Sequence, residues 1–145
     1  MTTWQLLQTA LPWLWLGAVL AISFVEAPLK FRAPGITIPL GVGIGRLVFR
    51  ALNGLELALA AATTVAVAAG DARSTAVWLL LAALWLALAL KAGVVRPLMD
   101  RRARRLLDGE PLGPSRQHLL YVGLELATVV ALAAFGAVSL DLIVG

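Results

Sequence analysis

Four apolar runs, at about residues 4–25, 47–69, 75–95 and 119–140, set the terms for this chain. Each is long enough to cross a bilayer as a helix, which takes about 20 residues. None shows a narrow 3.6-residue apolar stripe; each is apolar all round, as expected of helices surrounded by lipid and by one another. Backbone polar groups in hydrocarbon must be satisfied within the segment, so helices are the form to expect. The composition agrees. The 145 residues are 61% hydrophobic and 14% charged, against about 45–50% and 25% in soluble domains. A water-soluble globule is excluded, and residues 1–145 read as a single transmembrane domain, an all-α integral membrane four-helix bundle. The chain has no cysteine and one histidine. That removes disulfides, thiol redox chemistry and thiolate metal sites, and a bis-histidine haem within one chain.

The connections differ in character. Residues 70–74 (Gly-Asp-Ala-Arg-Ser) read as a tight turn joining helices two and three. Residues 26–45 carry Pro28, Pro34, Pro39, Gly35, Gly41 and Gly43 and read as a loop. Residues 97–114 read as a basic loop punctuated by Gly109, Pro111 and Gly113. Of the twelve Lys and Arg, all but Arg73 fall in or beside these two loops. The excess of positive charge places them in the cytoplasm and both termini outside, in a bacterial inner membrane. The N-terminus lacks a basic leader region, so the first helix is expected to be retained. The Arg101–Arg105 run reads as a topology signal that meets anionic lipid headgroups, not as a nucleic-acid surface. The sequence leaves a homo-oligomer open.

Gly54-Leu55-Glu56-Leu57-Ala58 in helix two recurs as Gly123-Leu124-Glu125-Leu126-Ala127 in helix four. At the same offset of 69 residues Pro28-Leu29 falls on Pro97-Leu98 and Arg32 on Arg101. We read two duplicated helical hairpins, related by a pseudo-twofold along the membrane normal. Glu26, which falls on Val95, departs from the pattern.

Charges within a membrane are rare, and they face the bundle interior or a cavity. Counted at 1.5 Å per residue, Glu56 and Glu125 lie roughly 10–13 Å from the cytoplasmic helix ends. Glu26, Lys30 and Lys91 fall at the same end. His118, Tyr121, Glu125 and Thr128 share one helical face, and Arg46, Asn53, Glu56 and Thr63 share another. A polar pocket open to the cytoplasm contains them all. Two desolvated carboxylates close together resist ionising together, which suits proton carriage. The bland alternative is that Glu26, Glu56 and Glu125 pair with Lys30, Lys91, Arg46 and Arg50 and merely lock the bundle. A metal cation held by Glu56, Glu125 and His118 is a further candidate. A ferritin-like di-metal centre is disfavoured, because neither Glu56 nor Glu125 begins a Glu-x-x-His motif.

Other signals are weaker. Trp4 and Trp78 suit an interfacial belt, while Trp13, Trp15 and Trp85 read as packing. Gly41-Val42-Gly43-Ile44-Gly45 matches a phosphate loop in glycine count alone and reads as close packing or a flexible start to helix two. Pro12 is a candidate kink.

The stretch Phe24-Val25-Glu26-Ala27-Pro28-Leu29-Lys30-Phe31-Arg32, followed by Gly45-Arg46-Leu47-Val48-Phe49-Arg50, resembles the DUF4149 / transmembrane protein 205-like family. The histidine upstream in helix four, here His118, is also similar. The resemblance covers about two thirds of the chain and implies a four-helix membrane fold. It implies no settled activity, although eukaryotic relatives are linked with metal-drug resistance.

The leading functional expectation is binding or transport of a small cation, proton or polar solute. Glu56 and Glu125 would be paired ligands, Lys91 a counter-charge, and Glu26 and His118 would stand at the mouth, with Asn53 and Tyr121 on the same faces. The alternatives are a metal- or haem-dependent membrane oxidoreductase and a structural or assembly protein.

Overall fold

The computed structural model describes residues 1–111 and 116–145. Four long helices make up almost all of it: α1 (Thr3–Arg32), α2 (Ile38–Ala69), α3 (Thr75–Leu107) and α4 (Arg116–Val144). Each is long and apolar enough to cross a membrane. Among the described residues there is no strand. The chain is an all-α four-helix bundle and an integral membrane protein.

Short polar residues start the first three helices. Thr2 caps α1 by accepting from the Gln5 N–H at 3.2 Å, and the Gln5 side chain accepts from the Thr2 N–H at 2.9 Å, a reciprocal capping box. Thr37 caps α2 and Ser74 caps α3 through the hydroxyl alone, each accepting at 3.2 Å from an N–H three residues on. The turn between α2 and α3 is tight, as expected, and Arg73 Nε closes it by donating to the Gly70 carbonyl at 2.7 Å. Each helix packs on its two neighbours in the cyclic order α1, α2, α3, α4. This leaves α2 and α4 on one diagonal and α1 and α3 on the other.

Two expectations about the connections are corrected. Residues 26–45 are not a loop: α1 continues to Arg32 and α2 already begins at Ile38. Residues 97–107 of the expected basic loop are helical, because α3 runs on to Leu107. The rest of that loop includes Gly113, which with residues 112–115 lies outside the described residues.

Pro28 and Pro97 are absorbed by wider turns, whereas Pro34 lies in the short connection after α1 and Pro39 at the start of α2. Leu20–Glu26 and Lys91–Val95 are π-helical. At their ends the N–H groups of Ala27 and Arg96 reach back five residues, to the carbonyls of Ile22 and Lys91. Pro28 and Pro97 each follow two residues after such a stretch, where the ladder is already loosened and a missing N–H is tolerated. The glycine run is a packing surface. A Cβ on Gly41 would stand 2.2 Å from the Phe31 ring, and one on Gly45 would stand 3.1 Å from Lys30 Nζ. Of the two readings of that run, close packing holds.

In lipid the hydrophobic effect drives helices together weakly, so close packing and buried polar contacts matter more. Trp15, Val19, Leu84, Leu132 and Phe135 form a fully buried centre contributed by α1, α3 and α4, with Leu59, Ala60 and Val67 from α2. Leu79, Leu86 and Val130 face outward, as residues in contact with lipid tails do.

Candidate functional site

Glu56, Lys91 and Glu125 meet in the middle of the bundle, one from each of α2, α3 and α4. Lys91 Nζ donates to both oxygens of Glu56, at 3.1 and 2.9 Å, and to Glu125 Oε1 at 2.6 Å. Glu56 and Lys91 are wholly buried and Glu125 is 1% exposed. The ammonium stands where a cation shared by the two carboxylates would stand. The structure brings together these three residues, which the sequence places at one end of the bundle. Counting from residue 47 misjudges the depth of Glu56. Because α2 begins at Ile38, Glu56 lies near the middle of that helix.

The fourth wall comes from α1, through two residues whose polar role the sequence did not announce. Trp15 Nε1–H donates to Glu56 Oε2 at 2.8 Å, so Trp15 is more than packing. The Ser23 hydroxyl donates to Glu125 Oε2. Trp15 lies with Val19 on the buried face of α1, and Ser23 follows inside the π-helical stretch.

Asn53, Tyr121, Glu26 and His118 stand nearer the basic end, and Thr63 and Thr128 on the other side of the carboxylates. The Tyr121 hydroxyl donates to Asn53 Oδ1 at 3.3 Å, joining α4 to α2 just beyond the carboxylates. Tyr121 also meets the Phe49 ring edge to face, with centroids 5.5 Å apart. Glu26 does not join the central cluster; its carboxylate lies 3.6 Å from Lys30 one turn along α1. His118 is exposed on the wall of a cavity, away from the central cluster. Thr63 and Thr128 turn back on their own helices and donate to the Leu59 and Leu124 carbonyls. The metal triad of Glu56, Glu125 and His118 is not assembled. Among the described residues no three His, Cys, Asp or Glu side chains are grouped to hold a metal ion.

The cavity has a volume of about 310 Å³ and lies between the basic ends of all four helices. Glu125 and Ser23 line its inner end, whereas Glu56 does not reach it. Lys30, Arg46, Arg96 and Arg102 supply cationic walls, and Phe24, Phe31 and Phe49 supply apolar ones. One carboxylate, Asp100, faces two arginines: Arg96 at 3.3 Å and Arg46 at 3.6 Å. The site is thus a closed, charge-bridged centre with one carboxylate on the floor of an open, basic vestibule. No family model, curated protein or solved structure matches the chain.

Proposed function

We propose that the chain is a proton-handling membrane protein, in which Glu125 exchanges a proton with the cavity and Glu56 and Lys91 hold the balancing charges. The supporting observation is the difference in hydrogen-bond partners between the two carboxylates. Glu56 is surrounded only by donors, the Lys91 ammonium and the Trp15 indole N–H, so both its oxygens must accept. Glu125 Oε2 faces the Ser23 hydroxyl, which can donate or accept. A proton on Glu125 therefore keeps every bond, with Oε2 donating to Ser23 in place of the reverse. With that proton the centre is neutral, one carboxylate against one ammonium, and avoids an uncompensated charge in low dielectric. Lys91 fills the shared cation position, so a proton suits this pair better than a second metal or organic cation.

A second reading has its own support. An ammonium clamped by two carboxylates is also what a purely locking role would use. Proton flux into reconstituted vesicles under an imposed membrane potential separates the two. We expect flux above protein-free vesicles for the native chain and background flux for Glu125→Gln, with thermal unfolding in detergent nearly unchanged. Native flux at background, or full flux in Glu125→Gln, sinks the proton reading. A large fall in unfolding temperature for Glu125→Gln favours the lock.

The orientation belongs to the same proposal: basic end in the cytoplasm, both termini outside, in a bacterial inner membrane, with exposed arginines of the Arg101–Arg105 run against anionic headgroups. A reporter fused at Gly109 should then report cytoplasm, and one fused after Val144 the outside. The duplication is proposed on added support. Both π-helical stretches end at positions 69 residues apart, Glu26 and Val95, and the diagonal placement of α2 and α4 is what a twofold along the bundle would produce. Kinship with the DUF4149 family rests on the Phe24–Arg32 and Gly45–Arg50 stretches, and a homo-oligomer is compatible with this arrangement.

A further inference from the structure

We propose that the basic cavity is a binding site for an amphipathic anion, a phosphate or carboxylate head carried on an apolar body. Three observations converge on it, and none depends on proton movement.

The first is charge. Lys30, Arg46, Arg96 and Arg102 line the cavity, while the carboxylates beside them are Glu26, 3.6 Å from Lys30, and Asp100, divided between Arg46 and Arg96. Glu125, on the floor, is already engaged by Lys91. The walls keep an excess of positive charge within a half-buried space.

The second is unspent hydrogen-bonding capacity. The Nε atom of Arg96 is buried and has no hydrogen-bond partner among the described residues, and that of Arg46 is buried with only Asp100 near it, at 3.6 Å, too far for a hydrogen bond. The Arg96 side chain is only 10% exposed, and buried guanidinium donors without acceptors are costly. Aromatic faces hold Arg96 and Lys30 without using their N–H groups. Arg96 lies 5.1 Å from the Phe49 ring centre and 5.7 Å from that of Tyr121, and Lys30 lies 5.5 Å from that of Phe31. Such an arrangement pre-positions cations and leaves their donors for an incoming anion, and guanidinium groups match phosphate and carboxylate oxygens well.

The third is the rest of the lining. Phe24, Phe31, Val42, Met99 and Leu106 make the remaining surface mainly apolar. Ligand pockets join apolar walls to a few polar groups that orient the ligand, and about 300 Å³ is the lower end of their range. A bare inorganic anion would leave those walls against water, whereas an apolar body attached to the anion covers them.

Arg102 separates this site from general surface attraction. Within the Arg101–Arg105 run, Arg102 lines the cavity while Arg101, Arg104 and Arg105 are exposed. The experiment is native mass spectrometry of the full chain released from detergent micelles. The probes are phosphatidylglycerol, a long-chain carboxylic acid and, as the neutral control, the long-chain alcohol of equal length. The native chain should retain one anionic amphiphile and no alcohol. Arg102→Gln should weaken retention at least tenfold, while Arg104→Gln, at an exposed position, should leave it unchanged. Both substitutions are at sites with some solvent exposure, so the fold should survive, and thermal unfolding checks that it does. Retention of phosphatidylglycerol alone names a lipid headgroup as the source. Retention of the carboxylic acid alone names a free amphiphile. Equal retention of alcohol and acid, or equal losses in the two arginine variants, overturns the site.

Discussion

At the end away from the basic residues, Trp13 lies against Gly136, where a Cβ would come within 2.7 Å of the indole. Gln8 there ties three elements together, donating to the Ala72 carbonyl at 2.8 Å and to Ser139 at 3.2 Å. At the basic end the same four helices part around a cavity, and α1 and α3 pass through π-helical turns on the way. One end is closed by contact between small and large side chains. The other is held open by cations that lie over aromatic rings and share one aspartate. The buried charge centre sits on the border. A packed end resists changes of volume, whereas an open, charged end resists changes of charge, and each half can be probed in its own terms.

The largest effect should come from the border. Lys91→Met leaves two buried carboxylates without their cation, and breaking such a cluster costs about 3–5 kcal/mol. Thermal unfolding should show it. Adding Glu56→Gln should recover part of that loss, because it removes one of the two stranded charges, and the shortfall from additivity measures the coupling. If the double variant is as unstable as the sum of the singles, the three side chains do not act as one unit.

Next comes a test of the packed end. Gly136→Leu drives a side chain into the Trp13 ring, and overpacking of this kind costs about 1–3 kcal/mol. The proton flux per folded molecule should be unchanged. A loss of flux without a loss of stability would erase the division between the two ends.

A smaller effect is expected for Gln8→Leu. It keeps the volume but strips Ser139 and the Ala72 carbonyl of a donor, for about 1–2 kcal/mol. The unfolding temperature should fall, with anion retention by mass spectrometry unaltered. The smallest is Glu110→Gln, which breaks the exposed Arg105–Glu110 pair. Surface pairs contribute about 0–1 kcal/mol, so the unfolding curve should barely move.

The four spans were legible because lipid demands long apolar helices, and nothing in the sequence competes with that demand. The helix ends were not. Pro28, Pro97 and the Gly41–Gly45 run are breakers in water-exposed chains, yet here they sit in a π-loosened ladder or against Phe31 and Lys30. The Arg101–Arg105 run looked like a loop because charge was weighed without its face, although Ala103 is buried and Arg102 half-buried among exposed arginines. Of the site, Glu56, Glu125 and Lys91 were readable as charges within apolar spans, although the depth of Glu56 was not, because the start of α2 was hidden. Trp15 and Ser23 were not, since an indole or a hydroxyl on an apolar helix shows its polar role only when its partner's position is known. The cavity depends on how four helix ends splay, which no single segment encodes.

The wide turns in α1 and α3 also change what a helical wheel means for this chain. A bond reaching back five residues instead of four inserts a slip in angular phase, so the residues after Glu26 and Val95 point away from where a regular count from the N-terminus would place them. Lys91 opens one such stretch, and Arg96 and Arg102 lie beyond it. Removing a single residue between Ala92 and Val95 would restore the regular count. It would leave Lys91 between its carboxylates and swing the whole basic extension about its axis, carrying those arginines off the cavity wall. Each slip works as an angular setting, letting one continuous rod aim its two halves in independent directions.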